Sequence, residues 1–308
     1  MVQIGHKISE DSSFLFSLFI DEKESNGLSP KSIKNCKDVF ARYQKEINKP
    51  ISKESIQEWI HFLLSRKMNP ISINFYIVQI RTYAYWLMNN GHIQRFHIKP
   101  LKKQEPQLKV FSNEDLLKLL EKPSTKASFP TYRTWVIINF ILGTGARAST
   151  LIHMKVEDLD FSNRNITYQY LKNKSFAIIP MSISLERILK LYLNTWDIKC
   201  EWLFPNKYGK QLSVNALTHS IVKACKKNGI KSKGPHALRH TFAGQFIMNG
   251  GNAFILQRLL NHADLTMTRK YVRIYSNDIK DGFMEYCPLD KLTSHSNSIK
   301  RKTNKGEN

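Results

Sequence analysis

Cysteine is scarce. The four present, Cys36, Cys200, Cys225 and Cys287, lie far apart, and no two form a CxxC pair. That spacing argues against a zinc site and against the disulfide framework of a small secreted domain. Long apolar runs are missing too. The most apolar stretch, Trp135 to Leu142, is broken by Asn139, whereas a bilayer span needs about 20 such residues. The N-terminal MVQIGHKISEDSS lacks the basic-then-apolar order of a secretory signal, so a cytoplasmic location is expected. No internal repeat is visible. The last shortage is of negative charge: 25 acidic residues face 47 basic ones, a formal net of +22.

What is there begins with that surplus, which folding itself does not call for and which implies a polyanionic partner. Residues 1–110 carry a net of +7, residues 111–290 a net of +11 and the last 18 residues +4. The excess therefore belongs to the body of the chain and not to a tail. An apolar fraction of 42% and 34 aromatic residues can fill real cores, and 308 residues suffice for two domains.

Residues 1–98 read as a helical domain. A first apolar run lies near residues 14–20. Ser29-Pro30 places a capping oxygen before a proline at the first helical position, and Ile33, Val39, Phe40, Tyr43 and Ile47 follow at helical spacing. Ser52 opens another helix, with Ile56, Trp59, Ile60 and Leu63 on one face. A longer pattern from Ser72 ends at Asn89-Asn90-Gly91. Residues 99–110, proline-bearing and basic, read as a linker. Lys102 and Lys103 are its candidate phosphate contacts, and an ordinary solvated strap is an equal reading. Residues 111–290 form the second domain. Ser112 to Asp115 resembles a capping box, an apolar helix covers about 132–142, and a hairpin follows in which Ile166, Tyr168 and Tyr170 alternate before Phe176 to Pro180 return. Residues 291–308 are a basic, polar tail.

Four features of the second domain stand out: Arg147 in GTGARAST, the turn Lys172-Asn173-Lys174, His236 and Arg239 in HALRH, and His262 nine residues before Tyr271. Singly, each has a plain explanation as a salt-bridged arginine, a solvated lysine or a core tyrosine. His236 and His240 at i and i+4 could ligate a metal, but HALRH lacks the glutamate of HExxH and no third ligand is evident.

Together, the order and spacing resemble the tyrosine recombinases, or phage integrases, over nearly the whole chain. GTGARAS, the hairpin lysine, LFP at 203–205, HALRHTFA and LLNHADLTMTRKY carry the resemblance. One position departs from it: the family's acidic residue three places after the first arginine is Thr150 here. The resemblance implies an α+β fold, with an N-terminal all-helical core-binding domain and a C-terminal, mostly helical catalytic domain holding a small antiparallel β-sheet. It implies a site-specific DNA recombinase, of the Xer-like or mobile-element kind without an arm-binding domain. Its expected task is integrating, excising or transposing an element, with chromosome or plasmid dimer resolution, or a catalytically silent accessory role, as alternatives. A topoisomerase-like relaxing activity by the same chemistry is a further alternative.

By the same resemblance Arg147 and Arg239 clamp the scissile phosphate, His262 bonds a nonbridging oxygen, His236 assists deprotonation, Lys172 protonates the departing 5′ oxygen and Tyr271 forms a 3′-phosphotyrosine. Lys174 is the rival of Lys172, and Tyr275 that of Tyr271. No cofactor or metal is expected. The expected partners are duplex DNA at specific sites, a homotetramer on two such sites, and accessory DNA-bending or directionality factors, with no membrane.

Overall fold

The computed structural model describes residues 2–102, 108–170, 176–196, 199–262 and 264–275. They fall into two compact units, residues 1–107 and 108–308.

The first unit contains four helices, α1 (Val2–Ser25), α2 (Pro30–Ile47), α3 (Lys53–Ser65) and α4 (Pro70–Asn89). Their starts follow from local chemistry. The Ser29 hydroxyl accepts from the Ser32 amide at 3.2 Å ahead of Pro30, and Ser52 and Ser55 form a reciprocal capping box. Helix α4 starts earlier than the Ser72 expected from periodicity, because Asn69 caps it from its side chain and Pro70 supplies the first turn. Beyond its end Gly91 adopts φ +75°. Phe19, Tyr43, Trp59, Leu63, Ile73, Ile77, Ile80 and Tyr83 form the core. The buried Asn74 donates to the Leu101 carbonyl at 3.0 Å and accepts from the Leu101 amide at 2.8 Å. Residues read from sequence as the start of the linker are thus fastened to α4.

The second unit begins with α5 (Asn113–Leu120), capped by Ser112, and α6 (Phe129–Thr144). Helix α6 is buried on nearly every side, as an apolar helix without a polar face must be. After the short α7 (Ala148–Leu151) comes a three-stranded antiparallel sheet, β1 (Leu159–Asp160), β2 (Asn165–Tyr168) and β3 (Ala177–Pro180), in that order. Ile166 pairs with Ile179 and Tyr168 with Ala177. Ile166 and Tyr168 face inward, as their alternation predicts. Tyr170 lies beyond the strand, exposed, its ring stacked 3.8 Å from that of His153. Helices α8 (Ile183–Thr195), α9 (Val214–Lys227), α10 (Pro235–Met248), α11 (Ala253–Leu260) and α12 (Leu265–Tyr275) follow. A large core surrounds α6, and a smaller cluster of Ala243, Ile247, Leu256, Leu260 and Tyr271 joins α10, α11 and α12. The chain thus adopts a mostly helical architecture with a small antiparallel sheet. Among the described residues no helix is long and apolar enough to cross a membrane.

Candidate active site

The site is assembled where the C-terminal ends of two helices meet the inner face of a third. Helix α6 ends in Gly145, whose left-handed φ of +69° closes the helix as its N–H donates to the Ile141 carbonyl at 2.7 Å. A Cβ at this position would come within 2.5 Å of Phe242 and 2.6 Å of Leu260, so both the backbone angle and the space require glycine. The turn sets Arg147 at the N-cap of α7 and points the Gly145 carbonyl at Arg239, whose Nη1 donates to it at 2.6 Å.

The second helix end is that of α11. Helix C-termini leave carbonyls without partners inside the helix, and Asn261 (φ 47°) turns those of α11 toward the arginines. Arg239 Nη2 donates to the Leu260 carbonyl at 2.7 Å. Arg147 Nη1 donates to the same carbonyl at 3.1 Å and to that of Asn261 at 3.3 Å, and its Nη2 donates to Asn261 at 3.3 Å. Arg239 is 4% exposed, and neither guanidinium has a carboxylate partner among the described residues. Burial lowers the pKa of both. For Arg239 burial comes first and the charge of Arg147 second, and together they push it down to about 9, with the oxygens of Tyr271 and Tyr168 opposing. At neutral pH the pair is still cationic, held by neutral carbonyls, and each guanidinium keeps further donors of its five for a ligand.

His262 sits just past α11. Its Nε2 lies 3.1 Å from Arg239 Nη2, and a guanidinium can only donate, so Nε2 carries no proton. Burial, then Arg239 and Arg147, push the His262 pKa down to about 4. The neutral ring therefore holds its proton on Nδ1, which donates to the fully buried Thr268 hydroxyl at 3.0 Å.

The third element is α12. Periodicity puts Tyr271 on its inner face with Thr268, three residues earlier. Tyr271 is 3% exposed, and its hydroxyl lies 2.7 Å from His240 Nδ1. His240 is pushed down to about 4 by burial first, then by His236, Arg239 and Lys270. His236, on the open side of α10, meets the His240 ring edge-on with centroids 4.4 Å apart. Its own pKa is lowered by the protein packed around it, then by Arg239 and Arg147.

The structure thus brings Arg147, Arg239, His262 and Tyr271 together and sets His236 beside them. Lys172 and its rival Lys174 lie outside the described residues, as do Lys103 and the side chain of Tyr275; Lys102 is exposed. Thr150 is buried one turn after Arg147, to whose carbonyl its amide donates at 3.0 Å. Among the described residues no three His, Cys, Asp or Glu side chains gather as a metal site. Sequence reasoning missed His240 as a partner of Tyr271 and missed Thr268. The i, i+4 spacing of His236 and His240 was a signal for the first; the i, i+3 spacing of Thr268 and Tyr271 was one for the second.

A model described as the phage integrase family matches residues 109–278. The tyrosine recombinase XerD of Listeria monocytogenes is 26% identical, covering 89% of this chain and 97% of its own length. The tyrosine recombinase XerC of Staphylococcus carnosus is 25% identical, covering 93% and 99%. Among solved structures, the Tn1549 transposon integrase in complex with a circular intermediate DNA superposes with a TM-score of 0.72 at 18% identity over 92% of this chain and 99% of that one. A lambda integrase dimer bound to a COC′ core site gives 0.69 at 16% identity, over 84% and 94%.

Proposed function

This chain belongs to the phage integrase family, and from that premise we propose that it is a site-specific tyrosine recombinase that cleaves and rejoins duplex DNA through a phosphotyrosine at Tyr271. The observation that carries the reading is the pair of guanidiniums, Arg147 and Arg239, set beside a buried tyrosine hydroxyl and bonded to carbonyls instead of carboxylates. Buried cations are ordinarily paired; a pair left without counter-charge is suited to an anion that arrives from outside. Bidentate guanidiniums fit the nonbridging oxygens of a phosphodiester and gain strength as charge develops on the five-oxygen transition state.

In the reaction Tyr271 attacks phosphorus and the 5′ oxygen departs. Lys172 supplies its proton, and the stored phosphotyrosine is later attacked by another 5′ hydroxyl. His262 donates to a nonbridging oxygen from Nε2 once that nitrogen is released from Arg239 and carries the ring proton, with Nδ1 then accepting from the Thr268 hydroxyl, and His236 faces the phosphate from the open side. The helical unit and the basic residues around 99–110, Lys102 and Lys103 among them, hold the duplex. Four protomers on two sites exchange strands, assisted where needed by DNA-bending or directionality factors. No cofactor enters these steps.

The task we assign is movement of a genetic element, supported by a composition rich in Lys, Asn and Ile. Dimer resolution is the second reading, favoured by the full-length similarity to XerD and XerC. Recombination between two copies of the DNA flanking the gene, compared with two copies of a chromosomal dimer-resolution site, separates them. The chemistry is tested on a nicked duplex that traps the covalent product. Wild type should form an adduct mapped to Tyr271, and Tyr271→Phe should bind with unchanged affinity and form none. An adduct on Tyr275 in that variant would overturn the assignment.

A further inference from the structure

The recombinase reading leaves unsaid which group takes the proton from the nucleophile, and the resemblance points to His236. We propose that His240, not His236, accepts the phenolic proton of Tyr271 as the tyrosine attacks phosphorus. The inference rests on the recombinase reading and adds a residue to its machinery.

The geometry is direct. His240 Nδ1 and the Tyr271 hydroxyl oxygen are 2.7 Å apart, within the reach a general base needs. The two residues belong to α10 and α12, which pack through Ala243, Ile247 and Tyr271. His236 contacts the His240 ring and so backs the base. The groups facing His240 are His236 and Arg239 from its own helix and Lys270 and Tyr271 from α12. With three potential cations on this list and partial burial, the ring is neutral at physiological pH, which leaves one nitrogen bare. In this proposal Nδ1 is the bare nitrogen, accepting from the phenol, with the ring proton on Nε2.

In the step itself the bond from Tyr271 Oη to phosphorus forms as the Oη–H bond breaks. The proton passes to His240 Nδ1, and the P–O5′ bond breaks with the oxygen taking a proton from Lys172. A free phenol, with a pKa of about 10, would not yield its proton to this imidazole beforehand. The transfer therefore accompanies O–P bond formation, which makes the phenolic proton strongly acidic. The phosphate's negative charge, arriving beside Arg147 and Arg239, offsets the cations that hold His240 neutral. In the rejoining step the imidazolium returns the proton to the leaving phenolate.

The test uses the full-length protein and adduct formation on two nicked duplexes, one with the natural 5′ oxygen and one with sulfur at the bridging 5′ position. Sulfur leaves without protonation, so it rescues loss of an acid and not loss of a base. His240→Ala removes the hydrogen bond and the base. His240→Asn keeps an acceptor oxygen close to the Nδ1 position and removes only the base. Both should slow adduct formation by roughly 10²- to 10⁴-fold on both substrates, with DNA affinity and melting temperature close to wild type. Added imidazole should restore part of the His240→Ala rate. His240→Asn at the wild-type rate overturns the inference, as does rescue of His240→Ala by sulfur, or a slow His236→Ala beside an unimpaired His240→Ala. A wild type that forms no adduct overturns the recombinase reading and this inference with it; a wild-type adduct with a full-rate His240→Asn overturns this inference alone.

Discussion

Among the described residues of the helical unit the buried polar side chains are Ser55 and Asn74, and both serve the backbone. Ser55 accepts from the Ser52 amide at 2.9 Å and donates to the Pro50 carbonyl at 2.8 Å, while Asn74 exchanges two bonds with Leu101. In the second unit Arg239, His262 and Thr268 are buried in a chain of bonds that begins at the Gly145 carbonyl. The first arrangement satisfies groups that folding takes from water. The second keeps cationic charge in place, although desolvating a guanidinium costs several kcal/mol, and answers it with carbonyls that only partly offset it. Polar burial in one unit completes a fold; in the other it maintains a site that an anion would stabilise further.

The sharpest way to break this contrast is Arg239→Lys. Lysine keeps the charge but loses the planar fork that reaches Gly145, Leu260 and His262 together. Adduct formation should fall by roughly a thousandfold, on the scale of removing a donor from a transition-state oxyanion. Single-turnover rates at saturating nicked duplex measure it, and a fall under tenfold would mean the bonded network is structural only. Next in size is Trp59→Ala in the helical unit. The indole is fully buried and donates to Glu46 at 2.7 Å, so its loss should lower stability by about 3–5 kcal/mol. The single-turnover rate at saturating DNA should stay within a few-fold of wild type wherever the protein remains folded. A large drop in that rate would erase the division between the units.

The smallest expected effect is on stability against pH. His262 is held near pKa 4 in the folded protein against 6.5 for the ordinary side chain. Between those values the unfolded chain binds more protons, so stability is fully present above about pH 6.5 and is lost as pH falls toward 4. The shift corresponds to about 3 kcal/mol. Urea midpoints measured from pH 7.5 to 4.5 should decline in the wild type and decline less steeply in His262→Asn, where His240, also held near 4, keeps part of the slope. Parallel curves would remove His262 from the buried network.

Some of this was readable from residue order. Capping serines, proline starts and the alternation of Ile166 and Tyr168 act over a few neighbours, so Ser29, Ser52 and Ser112 each mark a helix that forms. Periodicity places the start of α4 two residues late, because Asn69 caps from its side chain ahead of a proline, while the apolar pattern registers only at Ile73. The site's residue types were legible too, since arginine, HxxR, histidine and tyrosine occur in a chemically sensible order. Their partners were not. Arg147 finds Leu260 more than a hundred residues away, and His240 finds Tyr271 across 31. The sequence by itself determined which side chains could carry phosphoryl chemistry and which segments would be helices, because both depend on local chemistry and spacing. Only the tertiary structure decided that the α11 carbonyls grip both arginines, that Arg239 sets the His262 tautomer and that His240 holds the tyrosine. Hydrogen bonds need atoms within about 3 Å, and it is the packing of α10, α11 and α12 that brings them there.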